Sequence, residues 1–258
     1  MLHLFKKIRQ KLLVEKRLSN YIFYAIGEVL LVVIGILLAI QFSNWNEKRN
    51  EVQKEIWYLD NIANDMFYQK ETLLDLKNSF EKTLMLSQTI LKDYYKNNTF
   101  ENVDSLSFKL NQLMSTYKYP NIDNTYEELI SSGKVSLIEN YDLLTDIIDF
   151  YLNTDEVDFM FSTNEEQVFY EEVYSVLIKY SEVDISKFIE SNDINKSDIE
   201  IQNYILSELK KPRVKLELTN AIKNKIIIVS DYLITVDESI ADVDRMISAI
   251  DTEINTLQ

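Results

Sequence analysis

Residues 222–257 read IKNKIIIVSDYLITVDESIADVDRMISAIDTEINTL, and this stretch decides the fold. Ile222, Ile226, Val229, Leu233, Val236, Ile240, Val243, Ile247, Ile250, Ile254 and Leu257 follow at alternating steps of four and three without a miss. Asp237, Glu238, Asp242, Asp244, Arg245, Asp251 and Glu253 fall between them, on faces open to water. The spacing is that of one helix face. A single helix would leave the stripe wet, so a partner helix is required. The seam Ile226 to Ile254 is the expected pairing surface.

The first candidate partner lies upstream. From Asn46 to about Lys96 there is neither Gly nor Pro. The same stepping picks out Val52, Ile56, Leu59, Ala63, Met66, Lys70, Leu73, Lys77, Phe80, Leu84, Ser87 and Leu91, nine of them apolar. This is the pattern of a coiled-coil-like seam. Antiparallel pairing of the two helices would return Leu257 toward Val52. The same C-terminal helix in a second copy is the other possible partner, and the spacing fits both.

Composition agrees with long helices. The 258 residues hold 3 Gly and 2 Pro, too few for turn-rich β folds or for the βα turns of a doubly wound sheet. There is no cysteine, which removes disulfides and thiolate chemistry, and the one histidine is His3. Histidine-based zinc sites and Ser-His catalysis are therefore excluded. Residues 1–49 carry 8 Lys/Arg against 3 Asp/Glu, and residues 50–258 carry 19 against 39. A body this acidic repels phosphate backbones, so nucleic acid is not an expected partner.

Residues 21–42, YIFYAIGEVLLVVIGILLAIQF, contain one charge, Glu28. At ~1.5 Å per residue they span roughly 33 Å, enough to cross a bilayer. Tyr21 and Tyr24 flank one end, and Phe42 and Trp45 the other. The apolar run is too long for a cleaved leader and lacks an Ala-x-Ala site, so it reads as an uncleaved signal anchor. Lys6, Lys7, Arg9, Lys11, Lys16 and Arg17 precede it, which places the N-terminus in the cytoplasm and the body outside, in the periplasm of a double-membraned bacterium. Phe5, Ile8 and Leu12 would give residues 1–20 an amphipathic face for an anionic leaflet, unless the basic residues only set topology.

Glu28, Gly35 and Ala39 fall within about 20° of one another around the span. Gly35 and Ala39 form a small-residue step that admits a second helix. A helix–helix contact with Glu28 hydrogen-bonded is one reading. A water-reached Glu28 near the inner interface is another, and a proton-linked role a third.

The expected architecture is all-α. Residues 1–20 form a basic cytoplasmic segment and residues 21–43 a transmembrane helix. Residues 44–258 form one extracytoplasmic domain, with a long helix over 46–96, a helical head over 97–215 and a C-terminal helix over 216–257. Within the head, NNTFENVD and KYPNIDN read as loops. Helices are expected over Ser105–Tyr117, Thr125–Ser132, Asn140 to about Tyr180 and Ser197–Lys210. Thr125 and Glu128 suggest a capping box, and Gly133 a left-handed stop.

No catalytic, cofactor or metal site emerges. SSGKVS at 131–136 has the Gly-Lys pair of a phosphate loop, but Glu128 stands where the first glycine belongs. Carboxylates cluster at Asp142, Asp146 and Asp149, at Asp155, Glu156 and Asp158, and at Glu165, Glu166, Glu171 and Glu172. They read as a solvated face, with weak divalent-cation binding as the alternative. The head's many tyrosines read as core with hydroxyls at the rim, or as a partner surface.

Two stretches carry a family resemblance. One is KKIRQKLL followed by YAIGEVLLVVIGILLAIQFSNWNEKR; the other is TYEELISSGKVSLIEN, residues 125–140. They resemble a bacterial family of single-span proteins known as domain of unknown function 6090. Ile26-Gly27-Glu28, Asn44-Trp45-Asn46 and Leu129 to Gly133 are the matching motifs. The resemblance implies membrane location and transfers no catalytic residue. The expected function is therefore protein–protein contact in the envelope, as a scaffold, adaptor or homo-oligomer, with bilayer lipid and a membrane or periplasmic protein as partners. The alternative is a periplasmic helical-bundle ligand sensor that signals through a membrane partner.

Overall fold

The structure, a computed structural model, describes residues 18–188 and 198–258. The basic residues Lys6 to Arg17 and the apolar Phe5, Ile8 and Leu12 lie outside them. Every regular element among the described residues is helical: α1 Leu18–Asn97, α2 Leu106–Leu113, α3 Asn124–Ser131, α4 Tyr141–Thr163, α5 Ile199–Leu209 and α6 Pro212–Leu257, with two single 3₁₀ turns. Helix α4 continues as a π-helix, Asn164–Tyr174, and a last α turn, Ser175–Leu177. The chain divides into two compact units, residues 1–57 and 58–258. The second begins further along than the domain expected from residue 44.

In the first unit the apolar part of α1 is bare. Ile22, Phe23, Ile26 and the large side chains from Val29 to Phe42 are exposed, and none of its most apolar 18-residue window is buried. It is long and apolar enough to cross a membrane.

In the second unit α1 and α6 run antiparallel. Lys70 pairs with Asp244 and Lys77 with Asp237, both at 2.6 Å. Seven residues forward in α1 are seven residues back in α6. The same register places the Phe80 and Tyr232 rings 5.3 Å apart and lets Lys215 Nζ donate to the Asn98 carbonyl at 3.0 Å. That lysine closes the end of α1, where Asn98 turns left-handed at φ 53°.

Two columns of each helix are buried, and they differ from the expected seams at every second step. Leu59, Met66, Leu73, Phe80 and Ser87 are buried as expected positions of α1. The alternate column is Ile62, Gln69 and Thr83, each one residue before the expected Ala63, Lys70 and Leu84; at its end both Ile90 and the expected Leu91 are buried. Helix α6 repeats the offset. Val229, Val236, Val243 and Ile250 are buried, while Ile226, Leu233, Ile240, Ile247 and Ile254 are half-buried at the core's edge. The inner positions beside them are Lys225, Tyr232, Ser239 and Met246.

Local sequence explains most boundaries. Asn140 caps α4, its Oδ1 accepting from Leu143 N at 3.2 Å. Gly133, at φ 68°, ends α3 with two backward bonds, Gly133 N to Ile130 O at 3.0 Å and Lys134 N to Leu129 O at 3.1 Å. Together they form a Schellman stop. The expected Thr125–Glu128 box is absent. Helix α3 starts earlier, at Asn124, and Asp65 Oδ2 of α1 accepts from Thr125 N at 2.9 Å. Glu128 instead accepts from the Tyr58 hydroxyl at 2.9 Å. Lys134 of the Gly-Lys pair donates to that hydroxyl at 2.7 Å.

Candidate functional site

A non-helical segment, residues 115–123, which includes most of KYPNIDN, lies against the core of the second unit and buries Tyr119 in it. Buried backbone needs hydrogen-bond partners wherever it is not helical or paired in a sheet. The polar members of the inner columns supply them. Lys225 Nζ donates to the Ser115 carbonyl at 2.9 Å, and Gln69 Oε1 accepts from Ile122 N at 3.3 Å. The Tyr117 hydroxyl bonds Thr83 Oγ1 at 2.6 Å, and Asn121 Nδ2 reaches Asp155 at 2.8 Å. From Ser115 to Thr125 the contacts on α1 step back from Thr83 through Gln69 to Asp65. The segment thus lies along α1 as a strap, antiparallel to it. It also ends α2 at Leu113, short of the expected Tyr117, because Lys225 takes the Ser115 carbonyl.

The strap's most polar point is Lys225, which has no exposed surface. Its ammonium lies 3.9 Å from the Phe169 ring centroid and 5.0 Å from that of Tyr117. Glu165 is buried nearby, and neither of its oxygens has a hydrogen-bond partner among the described residues. Burial pushes the Lys225 ammonium down to about 8, against the opposing pull of Glu165. Burial likewise raises the Glu165 carboxyl. The Lys225 charge, the Tyr117 amide and the Tyr232 hydroxyl ease its ionisation without reaching hydrogen-bond geometry. Tyr232 stacks on Phe161 at 3.8 Å and donates to its carbonyl at 3.3 Å. Its phenol is raised, first by burial and then by Glu165.

The π-helix places Glu165 in this interior. Phe161, Glu165, Phe169, Val173 and Leu177 are all buried, at steps of four. On a straight α-helix each such step drifts about 40° off the face. The wider winding of a π-helix, with bonds from i to i+5, turns the drift back. Because Lys225 is fully enclosed, no substrate meets its amine. The arrangement organises the core and couples two opposed protonation equilibria.

The second unit has two open clefts, the first of them beside the strap. One, of about 550 Å³, is lined by Lys82, Thr83, Asn111, Ser115, Tyr117 and Asp184. The other, of about 470 Å³, has an apolar floor of Phe100, Val103, Leu106 and Leu209 under Glu101, Tyr180 and Glu182. The Tyr180 hydroxyl bonds Glu217 at 2.5 Å, and burial followed by that carboxylate pushes it up to about 12. Among the described residues no group of three or more His, Cys, Asp or Glu side chains could hold a metal.

The intramembrane candidates lie elsewhere. Glu28, Gly35 and Ala39 are exposed on the first unit, and a Cβ added at Gly35 would meet nothing within 4 Å. The family model for DUF6090, a family of unknown function, matches residues 28–175. The chain belongs to DUF6090. The match begins at Glu28 and includes Gly35, Ala39, the Gly133 stop, the strap and the whole π-helix; α6 with Lys225 follows it. No curated protein and no solved structure matches.

Sequence reasoning missed Lys225, Glu165, Gln69 and the strap. A signal was present: Gln69 and Thr83 in α1, and Lys225 and Ser239 in α6, are each fourteen residues apart. Two heptads separate the polar interruptions on both helices, as expected of paired layers in one core.

Proposed function

We propose that this DUF6090 member is a single-pass protein of the bacterial inner membrane that works by protein–protein contact. Its N-terminus would be cytoplasmic and its helical body periplasmic. It would act as a scaffold, an adaptor or a homo-oligomer. The observation that supports this reading is the bare apolar stretch of α1, where Ile22, Phe23, Ile26 and the large side chains from Val29 to Phe42 are exposed. Such a surface demands lipid or another protein. The excess of Lys and Arg before it supports the orientation. Glu28, Gly35 and Ala39 remain open to a second transmembrane helix.

Cross-linking of intact membranes with an amine-reactive reagent tests the contact reading. A reproducible link from Lys54, Lys82 or another body lysine to one envelope protein, or to a second copy, is the expected result. Links within single chains only would refute it. A periplasm-dependent reporter at Gln258 tests orientation, and its silence would reverse the topology.

A ligand sensor is the second reading, favoured by the 470 Å³ cleft with its apolar floor and its tyrosine and carboxylate rim. A ligand there would bias the packing of α5 and α6, and the span would carry the change to a membrane partner.

A further inference from the structure

From Val135 to Ile178 the chain has eleven Asp or Glu and no Lys, Arg or His. This run forms α4 and the π-helix, and it holds an exposed apolar line. Tyr141 is 76% exposed, Leu152 56% and Phe159 74%. At 100° per residue these three, with the half-buried Ile148, fall within about 40° of one another. They extend over 18 residues, roughly 27 Å of helix. Asp155 borders the line on one side, and Asp149 and Glu156 on the other; all three are exposed. Asp149 and Glu156 form no ion pair among the described residues, and Asp155 accepts a neutral bond from Asn121.

We propose that this outward face of α4 is the docking surface for a lysine- or arginine-rich amphipathic helix of a partner protein. The proposal rests on the contact reading above and names the kind of partner. Apolar side chains at intervals of seven, four and seven match the face that an amphipathic helix presents. Unpaired carboxylates on both flanks select a cationic one and speed its arrival. Other exposed apolar lines are not framed by acids alone: Leu216, Ile227 and Ile234 on α6 have Lys223 among their neighbours, and Phe67, Leu74 and Met85 on α1 have Lys70 and Lys82, so neither has that selectivity. The acidic residues alone would attract any cation; the aromatic line between them requires an apolar partner surface as well.

The probe is a fluorescein-labelled 18-residue peptide of leucine and lysine, with leucine at helical spacing. It is titrated against the full chain in zwitterionic nanodiscs, with empty nanodiscs subtracted. Saturable binding at one peptide per chain is expected, weakening as salt rises. Leu152→Ser with Phe159→Ser should weaken it at least tenfold. Asp149→Asn with Glu156→Gln should weaken it several-fold and flatten the salt dependence. Ile227→Ser with Ile234→Ser, on α6, should leave it unchanged. Circular dichroism establishes that each variant is folded. The proposal is overturned if a serine–lysine peptide binds as tightly, which would show diffuse charge attraction only, or if the α4 variants bind like the parent. Loss of peptide binding while an envelope protein still cross-links elsewhere would remove this surface and leave the contact reading intact. Peptide binding without any cross-linked protein or second copy would do the reverse.

Discussion

Replacing Lys225 with methionine should erase a rise in stability that the parent protein shows between pH 7.5 and 9. Burial holds the Lys225 ammonium near 8, whereas the unfolded chain keeps the ordinary value of 10.5. Between those values the unfolded state binds the extra proton, so stability increases as pH climbs through the window. The whole shift is worth roughly 3 kcal/mol, of which about 1 kcal/mol accrues from pH 7.5 to 9. Glu165 is raised, so its contribution is complete below 4.5 and is lost as pH rises through its folded value, which is a change opposite in sign to that of the lysine. Tyr117 and Tyr232 are raised too, and their contribution is lost only above about 10. The assay is guanidinium unfolding of the full chain in a mild detergent, followed at 222 nm at three pH values. Methionine fills much the same volume but carries no proton, so its curve should be flat or fall slightly. Glu165→Gln removes the carboxylate that supports the ammonium, so the rise should begin at a lower pH than in the parent. A parent protein without the rise, or a methionine variant that keeps it, would refute the assignment of Lys225 as a buried amine.

Three further outcomes follow from local geometry. Gly133→Ala should cost about 1 kcal/mol, read as a lower midpoint of thermal unfolding, because open space surrounds the site and only the left-handed backbone resists. Asn140→Ala should cost about 1 kcal/mol for the lost cap. Asn140→Asp should restore only part of this, since it keeps the cap but brings a like charge to Glu253, which now accepts from Asn140 Nδ2 at 2.6 Å. The chain has no cysteine, so the antiparallel register can be tested without background. Lys70→Cys with Asp244→Cys should be joined within one chain by a short bismaleimide, and Lys70→Cys with Asp237→Cys, about 10 Å further along the helix, should not. Equal yields would reject the register.

The helical class and the existence of two long helices could be read from apolar spacing and from the lack of Gly and Pro over Val52–Leu91, and from unbroken apolar spacing over Ile222–Leu257. The inner columns could not. A stepping rule that rewards apolar residues prefers Ile226 to Lys225 and Ile240 to Ser239, although each pair is about 100° apart and only the polar member faces inward. The choice depends on a third element, the strap, whose backbone needs Lys225 and Gln69. That need is invisible until residues 115–123 are known to lie along α1, with Tyr119 buried. The π-helix was hidden for a related reason. The steps of four from Phe161 to Leu177 pass through Glu165, which looks like one more solvated acid. Lys70 and Lys77, apparent misses in the expected seam, mark the rim where α1 meets α6 through ion pairs. Of the intramembrane candidates the sequence shows position and the structure shows exposure.

The register between α1 and α6 also has a consequence for biosynthesis. Lys70 and Asp244 are 174 residues apart, so the inner column of α1 leaves the ribosome long before the helix that covers it. At about 5–20 residues per second the delay is on the order of 10–30 s. During that time Leu59, Met66, Leu73 and Phe80 have no α6 to pack against. Any chain truncated before α6 would keep them uncovered for good, as a ready target for chaperones and for quality-control proteases.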